Sequence, residues 1–342
     1  MKQKTRLGSF SAAAAVVALA ASAVAPVSAA PNPDLASRVH FMPVKGAAGQ
    51  AFGQAKGGGK PGGGGTTGTQ AGINYHGGRV ASPGSAPFHV VSIYWGAGAI
   101  YSGGPNPGTG DATGSGTADG SLIGGFLRGI GNTPYYNINK TYWDKIGGSL
   151  RYVSGAVTYD GFWADGSNAP SGTQNISDAA IQAEIVSGFS TGKLTYAPDT
   201  IYSVFSAGGV NLGGQAFSQY CAYHGNFSWT DIGGHVQDVI YAVMPYNAYS
   251  TSCQGQATTP NSDAADYEVN TLVHEIEEAN TDPDLNAWYD RRGYENADKC
   301  AWTWGTTSTA SNGSKYNVNI GGKNWLIQRN WKNSGSGSCA LS

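Results

Sequence analysis

The chain has 342 residues, enough for one large domain or two small ones, and a formal net charge of −2 that supplies no field to draw in nucleic acid or an anionic membrane. Only 12% of the residues are charged, against 52 glycines and 19 tyrosines. That balance fits a β-rich exported protein better than a helical cytosolic one.

MKQKTRLGSF carries positive charge, AAAAVVALAASAV is a short apolar run, and Val27, Ser28 and Ala29 place small residues where signal peptidase acts. Residues 1–29 therefore read as a signal peptide cleaved after Ala29. The run is too short and too Ala-rich for a membrane span, and no other stretch approaches the ~20 apolar residues such a helix needs. The mature chain is expected to be secreted to the extracellular space, with no membrane span. Next comes PNPDLASRVHFMPVKGAAGQAFGQAKGGGKPGGGGTTGTQAG, whose second half is too Gly-rich to bury apolar surface. Residues 30–72 read as a Gly/Pro-rich low-complexity linker, with order beginning near Ile73 and one domain over 73–342.

FHVVSIYWG, residues 88–96, has the β-branched and aromatic content of a buried strand, followed by a Gly/Pro/Asn-rich surface loop. SDAAIQAEIVSGFSTG shows helical spacing behind a Ser177 cap, with Ile181, Ile185 and Val186 on one side. TIYSVFSA (200–207) and VIYAVMPYN (239–247) read as two further core strands, and no internal repeat is present. In an oxidising compartment the four cysteines form two disulfides. Cys221–Cys253 and Cys300–Cys339 are the favoured pairs of the three arrangements, since each closes a moderate loop flanking one acidic segment. No CxxC spacing points to a Cys-ligated metal.

That segment follows a helix. NSDAADYEVNTLVHEIEEAN opens with Ser262 or Asp263 as cap, and Val269, Leu272, Val273 and Ile276 recur at i, i+3, i+4, i+7. At ~100° per residue, His274 and Glu278 project from the opposite side, one turn apart. Pro283 prevents continuation much beyond Asn280. Glu275, Glu277 and Glu278 thus crowd the negative end of the helix dipole, an arrangement that needs a compensating cation. Either Arg291, Arg292 and Lys299 supply it, or a metal does.

His-Glu-x-x-Glu favours the metal. An imidazole at His274 and a carboxylate at Glu278 reach one ion, and Glu275 between them can act as the catalytic base, as in the H-E-x-x-H zinc hydrolases. Glu295 and Asp298, 17 and 20 residues beyond Glu278, supply a third ligand and an orienting partner for His274; Glu295 is preferred as the ligand because its side chain is longer. Zinc is the expected ion, but one nitrogen and two carboxylates make a harder site than His2Glu, so zinc should bind more weakly and calcium or manganese become alternatives. Asp282, Asp284 and Asn286 resemble the start of an EF-hand loop, but Ala287 and Gly293 stand where the loop needs Gly and Glu. His76, His224 and His235 sit beside glycines and read as loop histidines, and no GxSxG elbow is present. Trp288, Tyr289, Trp302, Trp304, Trp325 and Trp331 are either core or sugar-stacking residues.

INYHGGRV at 73–80, the strand ending IYWG, FLRGIGNTPYY, HEIEEANTDPDLNAWYD and ENADKCAW together resemble the EXORDIUM / phosphate-induced protein 1 family of secreted proteins. The likeness runs through the region after the linker, and the Ala-rich signal peptide looks bacterial. Plant members are apoplastic and linked to growth. The resemblance implies that His274, Glu275 and Glu278 form one constellation with Glu295, Asp298 and Cys300.

The expectation is therefore an α/β fold: a single large domain with a mixed β-sheet, a zincin-like active-site helix and two disulfides. The expected function is a secreted metal-dependent hydrolase, a zinc peptidase acting on peptide or cell-wall substrates, with no nucleic-acid partner. The alternative is a non-catalytic extracellular binding or signalling protein holding a structural ion or carboxylate network at the same residues.

Overall fold

FHVVSIYW and VIYAVM show little polar alternation, the pattern of strands covered on both faces. In the computed structural model, which describes Met1 and residues 38–47, 72–107 and 115–342, they lie inside a seven-stranded mixed sheet. Its strands are β1 (Arg38–Pro43), β2 (Phe88–Trp95), β3 (Ser115–Gly116), β4 (Val157–Asp165), β5 (Thr200–Ser206), β6 (Tyr220–Thr230) and β7 (Val236–Met244). The spatial order is β1-β6-β7-β5-β2-β4-β3. β7, β5, β2 and β4 run parallel; β6, β1 and β3 join at the flanks by antiparallel pairing. The expected signal peptide, apart from Met1, and most of the expected linker lie outside the described residues.

Successive residues of the central strands go to opposite faces. Ile240, Ala242 and Met244 join one apolar cluster, and Tyr241 and Val243 the other. Helices α1 (Leu122–Ile130), α2 (Asp178–Ser190) and α3 (Ala265–Thr281) complete the layers. Ile123, Phe126 and Leu127 of α1 and Val269, Leu272, Val273 and Ile276 of α3 pack on the first face. Ile181 and Ile185 of α2 pack on the second. The mixed α/β architecture and both expected disulfides, Cys221–Cys253 and Cys300–Cys339, are present. Among the described residues no helix is long and apolar enough to cross a membrane.

The helix ends follow the local chemistry. Ser177 Oγ accepts from Ala180 N at 3.2 Å to cap α2, and Asp263 Oδ1 accepts from Ala265 N at 2.9 Å at the start of α3. α3 stops at Thr281, just before Pro283. Its polar side does not face water: every residue from Glu268 to Asp282 is buried.

The linker expectation is corrected at Arg38–Pro43. β1 pairs antiparallel with β6, setting His40 directly opposite His224. In RVHFMP, Val39 and Phe41 alternate with His40 and Met42, and fully buried Met42 joins the core beneath α3. The alternation is six residues long and adjoins the Gly-rich run, which hides it. Two distant segments also meet: Asn74–Tyr75 pairs with Trp288–Tyr289, and Gly78 N donates to Asn286 O at 3.0 Å. A Cβ on Gly78 would lie 1.7 Å from Asn286 Oδ1, so only glycine fits this approach. Trp288, Trp325 and Trp331 are buried and so not open to sugars, while Tyr289 stacks on His76 with ring centroids 3.7 Å apart.

Glu268 ties α3 to the neighbouring turn by accepting from Asn247 N at 3.0 Å and Asn247 Nδ2 at 3.2 Å. Burial raises its pKa from 4.5 to about 8, against the opposing effect of those hydrogen bonds. Between these values the native state keeps a proton that the unfolded chain releases. Stability from this group is thus complete below about pH 4.5 and is lost as pH rises to about 8, at up to about 1.4 kcal/mol per pH unit. Urea unfolding across this range is expected to show the fall in the parent chain and a flatter profile in Glu268→Gln.

Candidate metal centre

Four parts of the chain bring ionisable side chains to one buried point. α3 contributes His274, Glu275 and Glu278; β1 contributes His40; β6 contributes His224; and the segment entering the short turn Asp298–Cys300 contributes Glu295 and Asp298. His40 and His224 follow from strand parity. His40 shares a face with Met42, and His224 with Ala222, both in the core beneath α3.

His40 Nε2 lies 2.5 Å from Asp298 Oδ2 and 3.9 Å from Glu278 Oε2, and its Nδ1 lies 3.5 Å from Glu295 Oε1. His224 Nδ1 is 3.0 Å from Glu275 Oε2 and 3.6 Å from Glu278 Oε2. His274 Nε2 is 3.1 Å from Glu278 Oε1 and 3.6 Å from Asp298 Oδ1. Asp298 N donates to Glu278 Oε1 at 3.0 Å, and Glu295 N to Asp298 Oδ2 at 3.2 Å, so the turn's backbone fixes two of the carboxylates. The Cys300–Cys339 disulfide anchors that turn.

Six polar atoms here have no hydrogen-bond partner: His224 Nε2, His274 Nε2, Glu275 Oε1, Glu278 Oε2, Glu295 Oε2 and Asp298 Oδ1. For His274 Nε2 the Glu278 oxygen is near but misaligned. Buried polar atoms are rarely left so, and a concentration of them around imidazoles and carboxylates fits a cation. Two trios can hold one, His40–Glu278–Asp298 and His224–Glu275–Glu278, with the donor atoms of each within 4.8 Å of one another. Donors ~2.0–2.1 Å from a tetrahedral ion stand roughly 3.3–3.4 Å apart. The measured contacts bracket that spacing.

Burial opposes charge on His40, but the carboxylates of Asp298 and Glu278 outweigh it and lift its pKa to about 9. His274 is raised in the same way, burial being overcome by Glu278. Burial, with His40 and His274 nearby, holds His224 well below the usual imidazole range. Glu275 and Glu295 are pushed up, first by burial and then by neighbouring carboxylates.

All five residues expected at the site, His274, Glu275, Glu278, Glu295 and Asp298, come together. Glu277 points away, accepting from Tyr135 Oη at 3.1 Å. The neighbouring basic residues act elsewhere: Lys299 and Arg292 contact Asp290, while Arg79 bridges Asp199, Asp238 and Asp284. Asp282 accepts from the amides of Asn286 and Ala287, both at 2.6 Å, so the EF-hand-like stretch is a carboxylate-capped turn. His76 and His235 are loop residues as expected, but His224 lies in a strand and belongs to the cluster. The partner of His274 Nδ1 is Gln328, not Asp298. Gln328 Nε2 lies 2.9 Å from the Ala297 carbonyl and 3.0 Å from His274 Nδ1. Because the carbonyl can only accept, that atom is the amide nitrogen, and Nδ1 accepts its second hydrogen. The imidazole proton then sits on Nε2, facing Glu278 and Asp298.

Searches found no match to this chain among family models, curated proteins or solved structures.

This assignment makes His274 the Nε2–H tautomer in the metal-free protein. Nitrogen-15 NMR is expected to show Nδ1 as the unprotonated nitrogen, and Gln328→Leu is expected to cost about 1–3 kcal/mol by leaving the Ala297 carbonyl and Nδ1 without a donor.

Proposed function

We propose that the protein is a metal-dependent hydrolase acting outside the cell, with peptide bonds as the first substrate class to test. The convergence of unpartnered imidazole and carboxylate atoms on Glu278 carries this reading. His40, Glu278 and Asp298 hold the cation, and His274 steadies Glu278 from the side. A donor set containing imidazole suits zinc or manganese better than calcium, which takes six to eight oxygen ligands. The two disulfides fit an oxidising compartment.

A bound cation would polarise a substrate carbonyl and acidify water. The chain's own residues supply the rest. Neutral His224 donates through Nδ1 to Glu275 Oε2 and holds that carboxylate in place, leaving Glu275 Oε1 to take a proton. Glu295 lies near both rings, 3.5 Å from His40 Nδ1 and 3.9 Å from His224 Nε2. The most exposed of these side chains is that of His40 on the edge strand β1, at 8%, while those of His224, His274, Glu275 and Glu278 are fully covered.

The same burial favours a second reading, a non-catalytic extracellular protein stabilised by a structural ion. One variant separates the two. Glu275→Gln is expected to keep the fold and the cation at His40–Glu278–Asp298 while hydrolysis of a peptide library falls by at least about 10²-fold. Hydrolysis that persists unchanged removes Glu275 from the reaction. A parent chain that binds cation but cleaves nothing in the library supports the structural-ion reading.

A further inference from the structure

We infer that the centre holds two divalent cations bridged by Glu278, one at His40–Glu278–Asp298 and a second at His224–Glu275–Glu278. This rests on the metal-centre reading and extends it from one ion to a pair.

The first argument is geometric. The two trios share only Glu278, and each brings its own histidine from its own strand. His40 and His224 face each other across the β1–β6 pair with ring centroids 5.8 Å apart. That separation leaves room for one ion beside each ring. Glu278 lies between the rings, with Oε2 3.9 Å from His40 Nε2 and 3.6 Å from His224 Nδ1. A carboxylate so placed can bridge ions about 3.5–4 Å apart.

The second argument is charge. The side chains of Glu275, Glu278, Glu295 and Asp298 are four covered carboxylates, and the lysine and arginine ion pairs described above go to other carboxylates. Were all four ionised beside neutral histidine ligands, one divalent cation would leave two negative charges in a buried space. Two cations balance all four, and isolated buried charge is strongly disfavoured. Asp282, a fifth buried carboxylate nearby, is served at Oδ1 by two backbone amides.

The third is the set of unpartnered atoms, which lies on both sides of Glu278. Asp298 and Glu275, one in each trio, each keep one carboxylate oxygen without a partner, Oδ1 and Oε1, and both side chains are at least nine-tenths buried. In the second trio the cation replaces the proton between His224 Nδ1 and Glu275 Oε2. The displaced proton moves to Nε2, which faces Glu295 Oε2 at 3.9 Å. Glu275 then ligates through Oε2 and retains Oε1 for proton transfer.

The test uses the full, disulfide-intact chain, stripped with chelator and titrated with manganese(II) alone. The expected result is two ions per chain and an exchange-coupled electron paramagnetic resonance spectrum, with zinc reaching the same stoichiometry by elemental analysis. His224→Ala and His40→Ala are each expected to reduce two ions to one and abolish the coupling. If either variant fails to fold, the parent spectrum decides alone. One ion per chain with an uncoupled spectrum, unaffected by His224→Ala, overturns the pair but leaves the single-ion reading standing. No bound ion overturns both.

Discussion

Glu278 is the point on which this structure depends. A carboxylate in the last turns of a buried helix faces the negative end of the helix dipole and three other carboxylates, so it is tolerable only where positive charge meets it. The fold brings His40 and His274, both favoured as cations by the carboxylates, to that place, with neutral His224 and the backbone amide of Asp298 as further partners. Removing any one partner leaves the carboxylate partly unpaired in a space that water barely reaches.

The rest of the fold can be read as support for that arrangement. α3 is held against the sheet by Val269, Leu272, Val273 and Ile276, which fixes the direction of its other side. β6 and β1 close that side, each with a histidine at the same register level. The disulfides act at the margins: Cys221 begins β6 next to its site residues, and Cys300 ends the turn that carries Asp298. Phe41 stacking on Tyr220 at 4.8 Å and the Trp302 indole donating to Pro43 O at 2.9 Å hold β1 in place, so His40 is not a casual visitor to the cluster.

Much of this was legible from residue pattern. The 3.6-residue period of Val269 to Ile276 located α3 and separated His274 and Glu278 from its core face, and the breaker at Pro283 placed its end. Flanking loops and an even cysteine count were enough for the disulfide pairing. His40 and His224 were not readable in the same way. His224 lies in YCAYHGN, where a neighbouring glycine imitates a turn, and only strand parity with Ala222 reveals its direction. His40 lies in a six-residue strand beside a Gly-rich run, and its partner strand is more than 180 residues away, a pairing that no local period encodes. The role of Gln328 was hidden for a related reason: a single amide far along the chain selects the tautomer of His274 through a contact that exists only after folding.

On the function proposed above, the buried cluster is built around cations rather than around hydrogen bonds among its own members. Calorimetric unfolding of the disulfide-intact chain, before and after exhaustive chelation, tests this most directly. Binding at a thousand times the dissociation constant contributes about 4 kcal/mol, which in a domain of this size shifts the midpoint by roughly 10 °C. The account predicts a drop of that order on chelation and its recovery on adding zinc or manganese. An identical midpoint in both states, with no response to added metal, would contradict it.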